Sequence, residues 1–210
     1  MNNSTEMYTN LIEESLRKRN NITSENVKQL EKMYSDLSKE LVDKASKAKG
    51  GFTKAWLKDY SKFLQFKAEQ LHQMQLDIIS GAIQEGARIS ASVEGDFYTY
   101  INGKYNLDIP KEMLDYAYSV NDDVIGLILN GGFYKDNRSL SERIWRNVNG
   151  SMQDIQYILT TGMASGKSYL DIIKDLEKHV NPNAKKPWDF RKVYPGLRSR
   201  KIDYNAQRLF

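Results

Sequence analysis

Apolar residues recur at steps of three and four along most of the chain, which predicts a mainly α-helical protein. The first such segment covers residues 25–48 and has a narrow apolar stripe. The stripe consists of Val27, Leu30, Tyr34, Leu37 and Leu41. Thr23 or Ser24 is expected to cap the start of this helix, and Gly50 and Gly51 are expected to end it. A stripe this narrow favours packing against one partner helix.

A second and longer helix is predicted from Thr53 to about Ile89, because apolar residues return to one side throughout and no proline interrupts them. About 37 residues at 1.5 Å each give a helix of roughly 55 Å. Gly81 and Gly86 are its only weak points, each costing about 1 kcal/mol relative to alanine. Helices of this length are typical of bundles, coiled coils and assembly arms.

The remaining segments are shorter. Residues 94–106 are aromatic and punctuated by glycine, which predicts a loop or a small hairpin. Helices are predicted over 110–119, over 124–129 with Asn121 or Asp122 as the cap, from Ser139 through Leu159 to Gly162, and over 169–180.

The predicted fold is therefore mainly α, with long N-terminal helices followed by a smaller helical domain that contains short irregular or hairpin segments. We expect three parts. Residues 1–93 form a long-helix arm, residues 94–181 a helical domain, and residues 182–210 a basic, irregular C-terminal segment.

Residues 162–168, GMASGKS, resemble the phosphate-binding loop of nucleotide-binding enzymes. That loop needs four residues between its glycines, and only three separate Gly162 from Gly166. It must also follow a buried strand, whereas the preceding residues have helical spacing. The sequence predicts a turn between two helices instead. Gly162 in the left-handed conformation ends the first helix, and Ser165 or Ser168 caps the second.

Charge is unevenly distributed along the chain. The net charge is +4, but residues 182–210 carry eight basic and two acidic side chains, a net charge of +6. A basic end on a near-neutral body favours contact with an anionic partner, nucleic acid first, and a solvated tail is the alternative. The candidate DNA-binding residues are Lys185, Lys186, Arg191, Lys192, Arg198, Arg200, Lys201 and Arg208.

The sequence offers no recognisable catalytic or metal site. It contains no cysteine, its two histidines stand alone, and Asp122 with Asp123 is explained by the preference for acidic residues at a helix start. We expect no enzyme activity, no cofactor and no metal. The polar N-terminus lacks the layout of a signal peptide and no apolar stretch is long enough to cross a bilayer, so we expect a soluble intracellular protein without a membrane segment.

Three tryptophans are candidates for packing or for partner contact. Trp56 and Trp145 lie on apolar helix faces, where core packing is the usual role. Trp188 follows Lys-Lys-Pro in the basic segment, where it either anchors that segment or stacks on a base or partner surface. The candidate partner-contact residues are Trp56, Tyr60, Phe63 and Trp188.

Three sequence blocks resemble the minor head, or head-morphogenesis, proteins of tailed bacteriophages (the Mu-F-like group). They are LSERIW at 140–145, the Gly-x-Ala-x-Gly-Lys-Ser turn at 162–168, and YNAQRL at 204–209. The three blocks occur in the family's order over about seventy residues, and weaker similarity extends over most of the chain. The long N-terminal helices resemble the branch from phages of Gram-positive hosts.

This resemblance implies a non-catalytic virion component that sits at the portal vertex and acts in head assembly, DNA packaging or DNA ejection. It implies a location in the capsid interior near the portal, and in the host cytoplasm during assembly. The implied partners are the portal protein, the major capsid or scaffold protein, and packaged double-stranded DNA. The family continues beyond the third block whereas this sequence ends at Phe210, so a truncated protein or an absent C-terminal part is expected.

Two other functions stay open. One is a helical nucleic-acid-binding protein whose basic C-terminal segment is its main functional part. The other is the delivery module of a toxin, because proteins of this family carry effector domains behind the head domain. The end at Phe210 leaves no room for an effector in this sequence.

Overall fold

A computed structural model describes residues 3–48 and 52–180, with the exception of the Ser46 side chain. These residues form six α-helices: α1 (Asn3–Ser46), α2 (Lys54–Tyr105), α3 (Lys111–Ala117), α4 (Asp122–Leu129), α5 (Leu140–Ala164) and α6 (Tyr169–Val180). No strand occurs in this part of the chain. The predicted mainly α fold with long N-terminal helices is confirmed.

Helix α1 begins some twenty residues earlier than predicted. Thr23 does not cap a helix start, because it lies inside α1, where its hydroxyl donates a hydrogen bond to the Arg19 carbonyl at 3.0 Å. The region before residue 25 is poor in apolar residues that reach the core. Among residues 3–24 only Ser15 is fully buried, so the apolar pattern gave no signal for this part of the helix.

Helix α2 is also longer than predicted. The Thr53 hydroxyl accepts a hydrogen bond from the Trp56 backbone N–H at 3.1 Å and caps the helix, whose start lies close to the predicted one. At the other end, the prediction of a loop or hairpin over residues 94–106 is wrong, because α2 continues to Tyr105. The backbone turns only after that, where Asn106 and Asp108 have positive φ angles of 48° and 50°.

The chain packs as two compact units, each built from two separate stretches of sequence. Among the described residues, unit 1 consists of residues 3–27 and 77–140, and unit 2 of residues 28–48, 52–76 and 141–180, so both α1 and α2 contribute to each unit. The boundary predicted after residue 93 falls inside α2. As a statement about domains, the three-part division stays a prediction.

Unit 2 holds most of the buried apolar side chains. It contains 17 of the 20 in the described residues, among them Leu41, Ile144, Leu159 and Leu176, which are at most 1% exposed. Helices α1, α2, α5 and α6 all contribute, because each repeats apolar residues on one side. Polar side chains complete the interior. Gln75 is buried and its side-chain amide donates a hydrogen bond to the Tyr34 hydroxyl.

The turn between α5 and α6 differs from the prediction at its first glycine. Gly162 does not end α5, because it lies inside the helix. A Cβ atom on Gly162 would meet Ile172 Cγ1 at 2.7 Å, so glycine is needed for the close approach of α6. Gly166, with φ of 68°, is the residue in the left-handed conformation.

The start of α6 agrees with the prediction. The Ser168 hydroxyl accepts a hydrogen bond from the Asp171 backbone N–H at 3.2 Å and also lies 2.7 Å from an oxygen of the Asp171 carboxylate. This arrangement satisfies a backbone donor that has no partner within the helix.

Unit 1 has a much smaller interior. Only Ile79, Ile125 and Leu140 are fully buried apolar side chains among its described residues. Its two long helix segments also meet through partly exposed groups. The rings of Tyr8 and Phe97 lie 4.8 Å apart between centroids, and the hydroxyls of Ser4 and Tyr105 lie 2.9 Å apart.

Candidate partner-binding surface

Large apolar side chains are exposed mainly on unit 1. Seventeen are exposed in the described part of the chain, and only Phe66, Met74, Tyr157 and Leu170 belong to unit 2. Unit 1 therefore exposes thirteen of them while it buries three of the twenty core residues. Exposed apolar side chains that concentrate in one part of a protein are typical of a surface that contacts a partner.

Helix α3 is the clearest case. It begins after Pro110, whose fixed φ suits a helix start, and none of its seven residues is buried. Met113 is 64% exposed and Tyr116 is 79% exposed. These two side chains are three positions apart and so lie on one face of the helix. A helix that contributes nothing to the core of its own unit has its apolar side available for another molecule.

Polar contacts and one close approach hold the ends of α3. The Ile109 backbone N–H donates a hydrogen bond to the Asn102 side-chain oxygen at 3.0 Å. At the other end the Tyr118 hydroxyl donates to Asp96 at 2.8 Å. The Tyr118 ring lies so close to Gly95 that a Cβ atom there would meet ring carbons at 2.5 Å. Glycine at position 95 is therefore required for this packing.

Helix α4 is anchored by one buried side chain. Asn121 caps it as predicted, accepting hydrogen bonds from the backbone N–H groups of Asp123 and Val124 at 3.0 and 3.2 Å. Ile125 points into unit 1. Val124 and Leu127 are exposed and three positions apart, so α4 also presents an apolar side to solvent.

A tight turn follows α4 at Asn130, Gly131 and Gly132. Gly131 has a φ of 89°, and a Cβ atom there would meet the Arg138 carbonyl oxygen at 2.3 Å. Only glycine suits this combination of backbone conformation and contact. The turn carries Phe133, which is 63% exposed.

We define the α3–α4 surface as the exposed side chains of residues 107–127. Six of these side chains are large and apolar: Leu107, Met113, Tyr116, Tyr118, Val124 and Leu127. Five are acidic and one is basic: Asp108, Glu112, Asp115, Asp122, Asp123 and Lys111. The surface thus combines apolar area with a net charge of −4.

The predicted partner-contact residues on α2 have different positions. Tyr60 is buried in unit 2 and its hydroxyl donates a hydrogen bond to the Leu41 carbonyl at 2.9 Å, so its ring is not available to a partner. Trp56 and Phe63 are partly exposed, and Trp56 stacks on the Tyr60 ring at 4.7 Å. Lys44 covers the Phe63 ring at 3.9 Å. A partner role for Trp56 and Phe63 stays a prediction.

The predicted DNA-binding residues and Trp188 lie outside the described residues. Trp145 is described, and it contacts the His72 ring edge-on at 5.6 Å between centroids. A nitrogen of His72 in turn lies 2.9 Å from the Ser141 hydroxyl. Trp145 and His72 therefore have packing partners within unit 2.

The lysine and serine of the Gly-Lys-Ser tripeptide have intramolecular roles. Lys167 Nζ lies 2.7 Å from a carboxylate oxygen of Asp175, and this hydrogen bond raises the pKa of Lys167. Ser168 caps α6, and Gly166 forms the turn. These contacts agree with the predicted turn between two helices.

The α3–α4 surface was not predicted from the sequence, although both of its helices were. The apolar residues of KEMLDYA occupy positions 113, 114, 116 and 117, the spacing of one helix face, so the pattern alone does not distinguish an exposed apolar face from a buried one. Among residues 3–48 and 52–180 no cluster of three or more His, Cys, Asp or Glu side chains could hold a metal ion. None of the helices described is both long and apolar enough to cross a membrane.

Comparison with known protein families, curated proteins and solved structures finds no match. The resemblance to phage minor head proteins therefore depends on the sequence patterns described above, chiefly the three blocks.

Proposed function

We propose that this chain is a structural minor head protein of a tailed phage that sits at the portal vertex and acts in head assembly, DNA packaging or DNA ejection. The proposal starts from the three sequence blocks at 140–145, 162–168 and 204–209. The proposed partners are the portal protein first, the major capsid or scaffold protein next, and packaged DNA. The role is structural rather than catalytic.

The observation that carries the proposal is the distribution of apolar side chains in unit 1. This unit exposes thirteen large apolar side chains and buries three apolar residues. Each exposed side chain would contribute favourable free energy if a partner removed it from water, at about 25 cal/mol per Å² of apolar area. Such a distribution supports a role in which the protein buries these side chains against partners within an assembly.

The positions of the first two blocks support a structural purpose for them. Residues 140–145 begin α5, where Leu140 and Ile144 are buried. Residues 162–168 span the end of α5 and the start of α6, where Gly162 allows the close approach of Ile172 and Ser168 caps α6. Residues of both blocks thus take part in packing and capping. This supports the interpretation that the two blocks are needed for folding rather than for catalysis.

The test is the composition of purified particles. We would treat phage particles and proheads with nuclease, purify them, and measure this chain and the portal protein by quantitative mass spectrometry. A fixed ratio to portal, far below the ratio for the major capsid protein, is the expected result. Absence from both proheads and finished particles would contradict the proposal.

The second candidate function is nucleic-acid binding through residues 182–210, which carry eight basic side chains. Binding to duplex DNA would then weaken with salt, because each phosphate contact releases counterions. Replacing one contacting basic residue by alanine should lower the slope of log K against log salt by about one. A stable complex with portal but no affinity for DNA would favour the structural role alone.

A further inference from the structure

The side chains of the α3–α4 surface place two chemical demands on a ligand. Its six exposed apolar side chains favour an apolar or aromatic partner, while its five acidic residues repel any partner of negative charge. The acidic and apolar residues are interleaved on α3 itself, where Glu112 and Tyr116 are four positions apart and Met113 and Tyr116 are three apart. A complementary ligand therefore has basic and apolar side chains close together in sequence.

The C-terminal residues 182–210 have this chemistry. They carry eight basic and two acidic side chains, a net charge of +6, and the basic residues alternate with apolar and aromatic ones. The apolar and aromatic residues are Trp188, Phe190, Val193, Tyr194, Leu197, Ile202, Tyr204, Leu209 and Phe210. Unit 1 carries 14 acidic and 8 basic side chains, a net charge of −6. The two charges are opposite and equal in size.

We propose that the α3–α4 surface of one copy binds residues 182–210 of a second copy. The contact is heterologous, since it joins two different surfaces and leaves one copy with a free segment and the other with a free surface to offer to further copies. Pairing of two α3–α4 surfaces is disfavoured because both carry a net charge of −4. The choice of a second copy rests on the proposed function, because a position at the portal vertex would concentrate any copies that assemble there.

The first measurement is sedimentation velocity of the purified full-length chain over a wide range of concentration. We expect reversible, concentration-dependent association. The association should weaken when ionic strength rises from about 0.05 M to about 0.5 M, because salt screens exposed charges. A chain that remains monomeric at all concentrations would contradict the proposal.

Charge reversal on each side of the contact provides the sharper test. The double variant Glu112→Lys, Asp115→Lys should weaken association by roughly tenfold or more, and so should Arg198→Glu, Arg200→Glu. Combining the two double variants in one chain should restore a large part of the association, because the charges are then complementary again. Asp59→Lys, at an exposed position of α2 in unit 2, is the control for a general change of charge and should leave association unchanged.

A matched pair of tyrosine variants tests the apolar part of the contact. Tyr116→Ser should weaken association, while Tyr157→Ser in unit 2 should not, although the two tyrosines are 79% and 69% exposed. Both are surface substitutions, and unchanged circular dichroism would establish that the fold is kept.

Besides a chain that stays monomeric, three results would overturn the proposal. The first is association that is unchanged by the charge reversals on α3 or in the C-terminal segment. The second is a combined variant that associates no better than either double variant. The third is a change in sedimentation caused by the C-terminal charge reversal that is equally large at dilutions where the chain is monomeric. The last result would indicate binding within one chain. None of these measurements depends on finding the protein in a phage particle, so failure here and failure of the proposed function are distinguishable.

Discussion

The Tyr60 hydroxyl of α2 donates a hydrogen bond to the Leu41 carbonyl of α1 at 2.9 Å, and the tyrosine is 1% exposed. The ring stacks on Trp56 at 4.7 Å and lies 5.8 Å from the Phe63 ring. One side chain thus joins the two long helices of unit 2 by apolar contact and by a buried polar bond.

Replacing Tyr60 by phenylalanine should keep the ring and remove the hydrogen bond, lowering the free energy of unfolding by about 1 kcal/mol at neutral pH. Burial raises the pKa of Tyr60 above its usual 10.0, so the folded chain favours the neutral phenol. The contribution of Tyr60 to stability is therefore fully present below pH 10 and is lost as pH rises above it, because the unfolded chain releases the phenol proton at a lower pH than the folded chain does.

The Tyr60→Phe variant should accordingly lose less stability than the parent chain between neutral and strongly alkaline pH. Urea unfolding at a series of pH values measures this difference. Tyr157→Phe is the control, since Tyr157 is 69% exposed and its substitution should leave the alkaline profile unchanged. Equal alkaline losses in the Tyr60→Phe variant and the parent chain would contradict the assignment.

Gly162 and Gly150 allow a matched test of the α5–α6 packing. Gly162→Ala should lower the free energy of unfolding by about 1–3 kcal/mol, because the new Cβ would meet buried Ile172 at 2.7 Å. Gly150→Ala, in the same helix with no atom within 4 Å, should raise it by about 1 kcal/mol. Chemical denaturation of both variants measures the two signs. An increase in the free energy of unfolding for both variants would contradict the prediction, because it would show that α6 accommodates the new Cβ atom with no loss of stability.

Gly95 should control the attachment of α3. Gly95→Ala would bring a Cβ within 2.5 Å of the Tyr118 ring, and because Tyr118 is 40% exposed the ring can swing outward. We expect amide hydrogen exchange in residues 111–118 to become about tenfold faster while α2 remains intact. Gly103→Ala, also in α2 but with no atom within 4 Å, should leave that exchange unchanged.

Removing the cap of α6 should have both an energetic and an electrostatic effect. Ser168→Ala should cost about 1 kcal/mol of stability, the usual value for a lost N-cap. The hydrogen bond from Ser168 lowers the pKa of Asp171, so its loss should move that pKa up towards 3.8. Carboxyl chemical shifts in an NMR titration follow the change.

The lowered pKa of Asp171 determines how its contribution to stability changes with pH. Its contribution to stability is present above pH 3.8 and is lost as pH falls through the pKa of the folded state, so Ser168→Ala should reduce the acid sensitivity of unfolding. Ser165→Ala is the control, because the Ser165 hydroxyl donates to the Thr161 carbonyl at 2.8 Å and does not cap α6. An unchanged Asp171 titration in Ser168→Ala would contradict this account.

The sequence was a good guide to helices with an apolar stripe and a poor guide to helix ends without one. The caps at Asn121 and Ser168 were predicted because each is a local pattern of a polar residue before a helix. Residues 3–24 were missed since they bury almost nothing, and residues 94–105 were missed because their glycines were interpreted as breaks.

Glycine was the main source of error. At Gly162 a terminating residue was expected, and the structure has a packing contact with Ile172 instead. At Gly95 the glycine accommodates the Tyr118 ring. Both contacts involve residues distant along the chain, so no local pattern distinguishes them from a helix end. The α3–α4 surface was missed for a related reason, because exposure depends on what the rest of unit 1 fails to cover.

Each compact unit is made of two stretches that are not adjacent in sequence, and this has a consequence for the gene. Any junction between codons 28 and 140 divides both units at once. Exchange of gene segments at such a junction would combine parts of one core from different origins, and each part would have to pack against an unfamiliar complement. We therefore expect viable chimaeras of this protein to have crossovers outside codons 28–140, with the region between them inherited as a block.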